Sequence, residues 1–398
     1  MKKFKFLKIS LIIPLLCIVP GVFYSQNDIN RILEQISVNN KLIQAGNELI
    51  AARKSEFNNG LAPYDPFVSY SHLFGSPVEA GNQKEFSLLF TFDFPSVYGK
   101  RSDLAELKTS QLLYEKILLR QDILLNAKIS LLELTALNRK NEALNERLII
   151  ASRIYEYLRI KLDKGEIDIM EVNKAKLQVI NYSTEKELNN AEMNSLRIRL
   201  TELNGGKQVN YNDTAYPVPE LISGFDILES EIENSDPVLK KLNYDLKINK
   251  LETDIQSALK LPKIELGYRY QGILNENFHG FQAGISLPLW EKNNTVTTKE
   301  LYSKYTRSLI EQHKNEHYSE IKQLYSRVTS YDSSLSEVKY LFQTIDNVKL
   351  YEKAFILGEI SSPEYLLETT YYYSIQDRIE NMEKEYHILQ AKLFKHKL

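Results

Sequence analysis

The chain has 398 residues, with 50 lysines and arginines against 52 aspartates and glutamates and a net charge of −2. So even a mixture of charges offers nothing for a nucleic-acid partner. Cys17 is the single cysteine, which excludes a disulfide framework and leaves packing to hold the protein together.

Residues 1–25 read as an export signal. Lys2, Lys3, Lys5 and Lys8 precede an apolar run from Ile9 to Tyr24, and Ser25 is the small residue before a cut at Gln26. A retained membrane anchor is the alternative, although no stop-transfer pattern follows. Cys17 sits inside the run behind Leu15 and Leu16, where lipid attachment requires a small residue. Beyond this segment no run approaches ~18 apolar residues, so no membrane-spanning helix is expected.

In chain order, a helical pattern covers Asp28 to Leu61, and strands follow near Phe67–Phe74 and Glu85–Phe94. A longer helical pattern runs from Ser102 to Leu162, carrying Leu104, Leu107, Leu118, Leu125, Leu132, Leu144, Leu148, Ile154 and Leu158. At the helical rise this is a rod of roughly 90 Å, far beyond a globular helix. Asp168 to Asn204 returns along it. A stretch rich in glycine, proline and turn formers follows, from Asn204 to Asp226. Then the order repeats: Pro237–Lys260, two strands, Thr297–Leu357 and Pro363–Lys397.

The chain is therefore read as two copies, 26–203 and 237–398, joined by 204–236. "FTFDFP" ending at Pro95 aligns with "AGISLP" ending at Pro288, and Gly165-Glu166-Ile167 aligns with Gly358-Glu359-Ile360. In each half the two shorter helices, stacked end to end, match the long one in length.

The strands alternate. Phe86, Leu88, Phe90, Phe92 and Phe94 share one face of the second strand, opposite Ser87, Thr91 and Asp93. Phe281, Ala283, Ile285, Leu287 and Leu289 oppose Gln282, Gly284 and Ser286, and Ile264, Leu266, Tyr268 and Tyr270 oppose Lys263, Glu265 and Arg269. Val68, Tyr70, His72 and Phe74 form the apolar side of the first strand. Half-buried strands of a soluble sheet would alternate likewise. However, the charges on the polar face suit a wet lumen, Tyr98 and Trp290 suit an interfacial aromatic girdle, and the length suits a tilted membrane strand. Four strands cannot close a barrel, for which at least eight are needed, so several chains must contribute; three copies of four strands make twelve.

A strand pair and a long rod, written twice behind a signal, resemble the TolC family of outer-membrane efflux proteins over nearly the whole mature chain. The most specific features are the strand-to-helix steps at Pro95 and Pro288 and the Gly-Glu-Ile step with its downstream acid. The resemblance implies a mainly α fold with a small β part, in which long antiparallel hairpins form an α-barrel in a homotrimer and four strands per chain enter a transmembrane β-barrel. It implies a Gram-negative outer membrane with the helices in the periplasm. It also implies a passive, non-enzymatic exit duct without cofactor, partnered by a periplasmic adaptor and an inner-membrane pump, RND-type first, ABC or MFS otherwise. A type I secretion duct, and from another class a non-pore coiled-coil scaffold or adhesin, are the alternatives. Residues 204–237 would join a belt at the tunnel's waist, and the chain's end soon after the last helix leaves any tail contribution small.

Gly165 and Gly358 suit helix ends with positive φ, and Asp168 and Ser361 suit caps for the next helices, with Glu171 and Glu364 completing capping boxes. Ser362 is the alternative cap, with Pro363 as the first helical residue. The resemblance makes Gly165, Glu166, Ile167, Gly358, Glu359 and Ile360 the periplasmic tip and adaptor contact. It makes Glu364, with Glu368 and Glu171, candidate lumen acids, Glu364 matching an acid at the narrowest point and Leu367 standing where a second acid is expected. A tyrosine and an arginine that lock the tip in relatives fall on Phe355 and Ile360. His313 and His317, four apart on a helix, have the spacing of metal ligands. Glu316 lies off their face and no third ligand is evident, so a solvated pair and no metal site is the reading. "TTYYYS" (Thr369 to Ser374) is read as inter-helix packing.

Overall fold

The computed structural model describes residues 22–287, 294–344 and 348–398. The export signal lies largely outside these residues, as do Pro288, Leu289 and Trp290. Helices α1 (Val22–Asn39) and α2 (Lys41–Asn59) lead into strands β1 (Phe67–Leu73) and β2 (Gln83–Phe92). The 69-residue helix α3 (Pro95–Asp163) and α4 (Ile169–Leu203) form the first long hairpin. The second half comprises α5 (Phe225–Ser235), α6 (Pro237–Ala258), β3 (Lys263–Ile273), β4 (Glu276–Ser286), α7 (Asn294–Thr344), α8 (Val348–Ile356) and α9 (Ser362–Leu393). Among the described residues no helix is long and apolar enough to cross a membrane.

Side-chain caps start two of the helices, the first at a break that was not expected and the second at the expected Pro237. The first helical stretch is broken at Asn40, whose side chain accepts from Leu42 N and Ile43 N and so starts α2. Asp236 does the same between α5 and α6, accepting from Val238 N at 2.8 Å ahead of Pro237. A side-chain oxygen there satisfies amides that a helix start leaves unbonded. The second break also places the 11-residue α5 inside the stretch expected to be a linker.

The breaks sit beside the main core. Ile29, Ile32 and Ile36 of α1 pack with Leu124, Leu131 and Leu134 of α3, Leu200 of α4 and Tyr211 of the following loop, all buried. Each such side chain gains about 1.5–3 kcal/mol on burial. A second cluster joins α5 (Leu228, Ile232), α7 (Ile321, Val328) and α9 (Leu389, Leu393). The C-terminal turn is tied to α3 and to the loop before α5. Lys395 pairs with Asp122 at 2.6 Å, Lys397 with Glu220, and Arg120 donates to the Leu398 carbonyl.

Polar ties fix the halves to each other. The buried Arg147 of α3 donates to both Asp377 oxygens (3.0 and 2.7 Å) and to Gln376, and lies 4.4 Å from the Tyr373 ring centroid. Tyr373 in turn packs edge-on to Tyr182 and Tyr372 lies against Phe342, so these two of the three tyrosines serve inter-helix packing, while Tyr371 is exposed.

His387 of α9 is stacked on Tyr216 at 4.4 Å, and burial, followed by the nearby Lys339, Arg139 and Lys128 against Glu383, lowers its pKa to about 4. The folded chain thus holds it neutral where the unfolded chain, near 6.5, is protonated. Its contribution is complete above that value and is lost as pH falls from about 6.5 towards 4, on the order of 3 kcal/mol. His387→Phe keeps the stacked ring and removes the titration. Thermal midpoints between pH 7.5 and 4.5 are expected to fall less steeply in the variant; equal slopes would acquit His387.

Candidate functional site

The four strands form one antiparallel sheet in the order β1-β2-β3-β4. Its register aligns Val68, Leu88, Tyr268 and Phe281 in one row, Tyr70, Phe86, Tyr270 and His279 in the next, and Phe90, Leu266 and Ala283 in a third. Period-2 side-chain alternation then places all of them on a single face. That face is bare in the chain: Phe281 is 96% exposed, Ile285 70% and Tyr70 65%. Phe86 and Phe90 are exposed, Leu88 and Phe92 half-buried. Phe94 lies past the strand as the residue before α3, and Leu287 just past β4; both are exposed. Among the described residues no helix packs extensively on either face of the sheet.

The reverse face is polar. Arg269 pairs with Glu85 at 2.7 Å, Ser69 and Ser87 share a hydrogen bond at 2.7 Å, and Thr91 and Glu265 stand in register. Phe67 and Leu89, and towards the hairpin turns Leu73, Ile273 and Phe278, depart from this alternation. Gly267 opposite Leu89 leaves it room: a Cβ there would lie 2.6 Å from the Leu88 carbonyl oxygen and 3.1 Å from Leu89 Cδ1. β3 and β4 extend past their expected limits because Leu274 and Asn275, both at positive φ, make a two-residue turn between them. Within the chain β1 and β4 are edges.

The sheet meets the rod at Asp93. Its carboxylate, 1% exposed, lies 3.0 Å from Arg101 and 4.0 Å from Lys263 and accepts from Tyr64 Oη at 3.3 Å, while its backbone N–H donates to Tyr98 Oη. Pro95 then opens α3, where its missing N–H costs nothing and its φ suits the helix. Asp93, read from the sequence only as a residue of the polar side, and Tyr98 both tie the junction together.

At the opposite end of the rod the two turns are the same structure. Gly165 (φ +74°) and Gly358 (φ +77°) each follow a helix C-terminus. Glu166 N donates to Lys161 O and Gly165 N to Leu162 O; Glu359 N donates to Ala354 O and Gly358 N to Phe355 O. This paired closure demands a left-handed residue, hence glycine. Asp168 caps α4 through Met170 N and Glu171 N, and Ser361 caps α9 through Glu364 N, with Ser362 and Pro363 already helical.

Glu166, Glu359 and Glu364 are exposed, whereas Glu171, Glu368, Ile167 and Ile360 are half-buried. Phe355 is buried between Tyr157 (5.7 Å, edge-on) and Tyr365 (5.0 Å, stacked). Ile360 joins the same cluster, which includes Ile154, Leu158 and Val172 of the first hairpin. An aromatic core with an Arg153–Glu352 pair at 2.6 Å therefore ties the two hairpins within one chain.

One more group comes together at mid-rod. His313 and His317 of α7 face Asp236, whose buried carboxylate supplies the third ligand-type atom that helical spacing alone did not reveal.

No protein-family model and no curated protein matches the chain. Among solved structures it is similar to CusC (14% identity, TM-score 0.77, covering 93% of this chain and 92% of that one). It is also similar to the outer membrane protein VceC from Vibrio cholerae (14%, 0.74, 94% and 96%). A third neighbour is the CmeC outer membrane channel from Campylobacter jejuni (16%, 0.70, 93% and 85%). The fold is TolC-like, mainly helical with one four-stranded antiparallel sheet.

Proposed function

We propose that the chain is the outer-membrane channel of a tripartite export system, a passive duct through which substrates leave the periplasm. The observation that carries this reading is the sheet. Its bare apolar face, charged reverse and two open edges need lipid on one side, water on the other and further strands to pair with. Three copies would close a barrel of twelve strands, continued by a tunnel of their long hairpins. A scaffold or adhesin without a pore has no use for such a sheet.

The similarity to outer-membrane channels supports the same assignment, with a periplasmic adaptor at the tip around Gly165 and Gly358 and an inner-membrane pump beyond it, RND-type by the resemblance. In the trimer the exposed Glu364 becomes a ring of three carboxylates, with Glu368 and Glu171 nearby, where cations would be drawn in. The assignment is tested by membrane fractionation and an unheated denaturing gel. A heat-sensitive trimer in the outer membrane is expected, and a soluble monomer would overturn the reading. In planar bilayers Glu364→Ala is expected to weaken block by divalent cations several-fold. Unchanged block would remove Glu364 from the conducting path.

A further inference from the structure

We propose that Asp236, His313 and His317 form a binding site for a divalent transition metal, zinc by its donor set, at the waist of the rod. This inference stands on side chains that the channel reading does not use.

Asp236 Oδ1 is engaged as the helix cap, accepting from Val238 N. That leaves Oδ2, which lies 2.5 Å from His313 Nε2 and 3.9 Å from His317 Nε2. Asp236 is 4% exposed, and the two imidazoles stack at 5.3 Å and 17° on successive turns of α7. His317 Nε2 is buried without a hydrogen-bond partner. A buried ring nitrogen left bare beside a buried carboxylate is an unsatisfied position that a ligand should fill. The three atoms border a cavity of about 200 Å³ that is also lined by Glu320 and His396.

The spacing fits. Donors 2.0–2.1 Å from a tetrahedral zinc are separated by about 3.3 Å, between the two distances present, so small side-chain rotations bring all three into place. On binding, the hydrogen shared by His313 and Asp236 leaves to solvent and the ion takes its position. Two imidazoles and a carboxylate favour zinc or a neighbouring late transition metal over magnesium or calcium.

The first repeat shows that the fold does not require these residues. In the alignment set by the two glycine turns, His313 and His317 fall on Arg120 and Leu124. As the cap at the helix break, Asp236 has its counterpart in Asn40, whose side-chain amide donates to Leu203 O instead. The twin position is built without a ligand set, so the second half carries something extra. Its effect would be to staple α7 to the break between α5 and α6.

The test uses the untagged trimer in detergent, stripped with chelator and dialysed against zinc chloride. One zinc per chain is expected, with affinity reduced at least ~100-fold in His317→Ala and in Asp236→Asn, the latter keeping the cap oxygen. Variants are compared after confirming the same trimer on unheated gels. No zinc in the wild type, or equal zinc in wild type and variants, would overturn the proposal. Should a variant fail to assemble, cobalt(II) added to the wild type decides. An intense visible band of a low-coordinate, imidazole-bound ion supports the site, and the weak spectrum of the aquo ion refutes it.

Discussion

Phe281→Arg is expected to strip the protein from the outer membrane. Phe281 is the sixth of the eleven residues of β4 and 96% exposed, in the row that runs through Tyr268, Leu88 and Val68. An eleven-residue strand tilted by about 45° spans about 25 Å, so the middle of β4 falls near the bilayer centre if the sheet crosses it. Arginine on the lipid face there costs about 2–4 kcal/mol per chain, repeated in each copy of the oligomer. The amount recovered as outer-membrane trimer should fall more than ~30-fold, the equilibrium factor for the lower bound. The neighbouring Gln282→Arg, on the reverse face, is the matched control and should assemble normally. Both variants assembling equally well would mean that the bare face does not meet lipid.

Much of this arrangement is visible in the sequence, and the rest is hidden for identifiable reasons. The rods declare themselves through leucines at helical spacing, and the strands through period-2 alternation, because both patterns are local. The break at Asn40 leaves no trace in that periodicity: the apolar stripe continues across it, and only a cap oxygen interrupts the chain. Helix α5 was obscured by the prolines and glycines before it. The β3–β4 turn hides because Leu274 is an unusual residue at positive φ, where Asn-Gly or Asp-Gly would be a clear signal.

Contacts between distant segments were out of reach altogether. Arg147 and Asp377 are 230 positions apart, and His313 and Asp236 are 77 apart. The aromatic core that holds Phe355 and Ile360 is shared by both hairpins and depends on the hairpins packing side by side.

The second large effect is expected at Asp93, where sheet and rod must move as one body. Its carboxylate is the only acid among the described partners of Arg101 and Lys263 in that corner. Asp93→Ala leaves two cations facing a buried space and Tyr64 Oη without its acceptor. Removing one member of a buried pair costs about 3–5 kcal/mol, and because Arg101 and Lys263 are partly exposed and can rehydrate, the lower end applies. The temperature at which the oligomer dissociates on a gel should fall clearly. Asp93→Asn keeps an acceptor for Tyr64 and should lie between wild type and alanine.

A double variant separates charge from shape. With Asp93→Asn in place, Arg101→Gln removes the orphaned cation and should cost less than it does alone, a coupling of about 1 kcal/mol or more. Strict additivity would show that Arg101 and Asp93 contribute independently, and the junction would then rest on Pro95 and the Tyr98 hydrogen bond instead. A positive coupling carries a functional consequence. Any displacement of α3 would then reach the sheet through a stiff corner, because Asp93 ties Arg101 of the helix to Lys263 of β3.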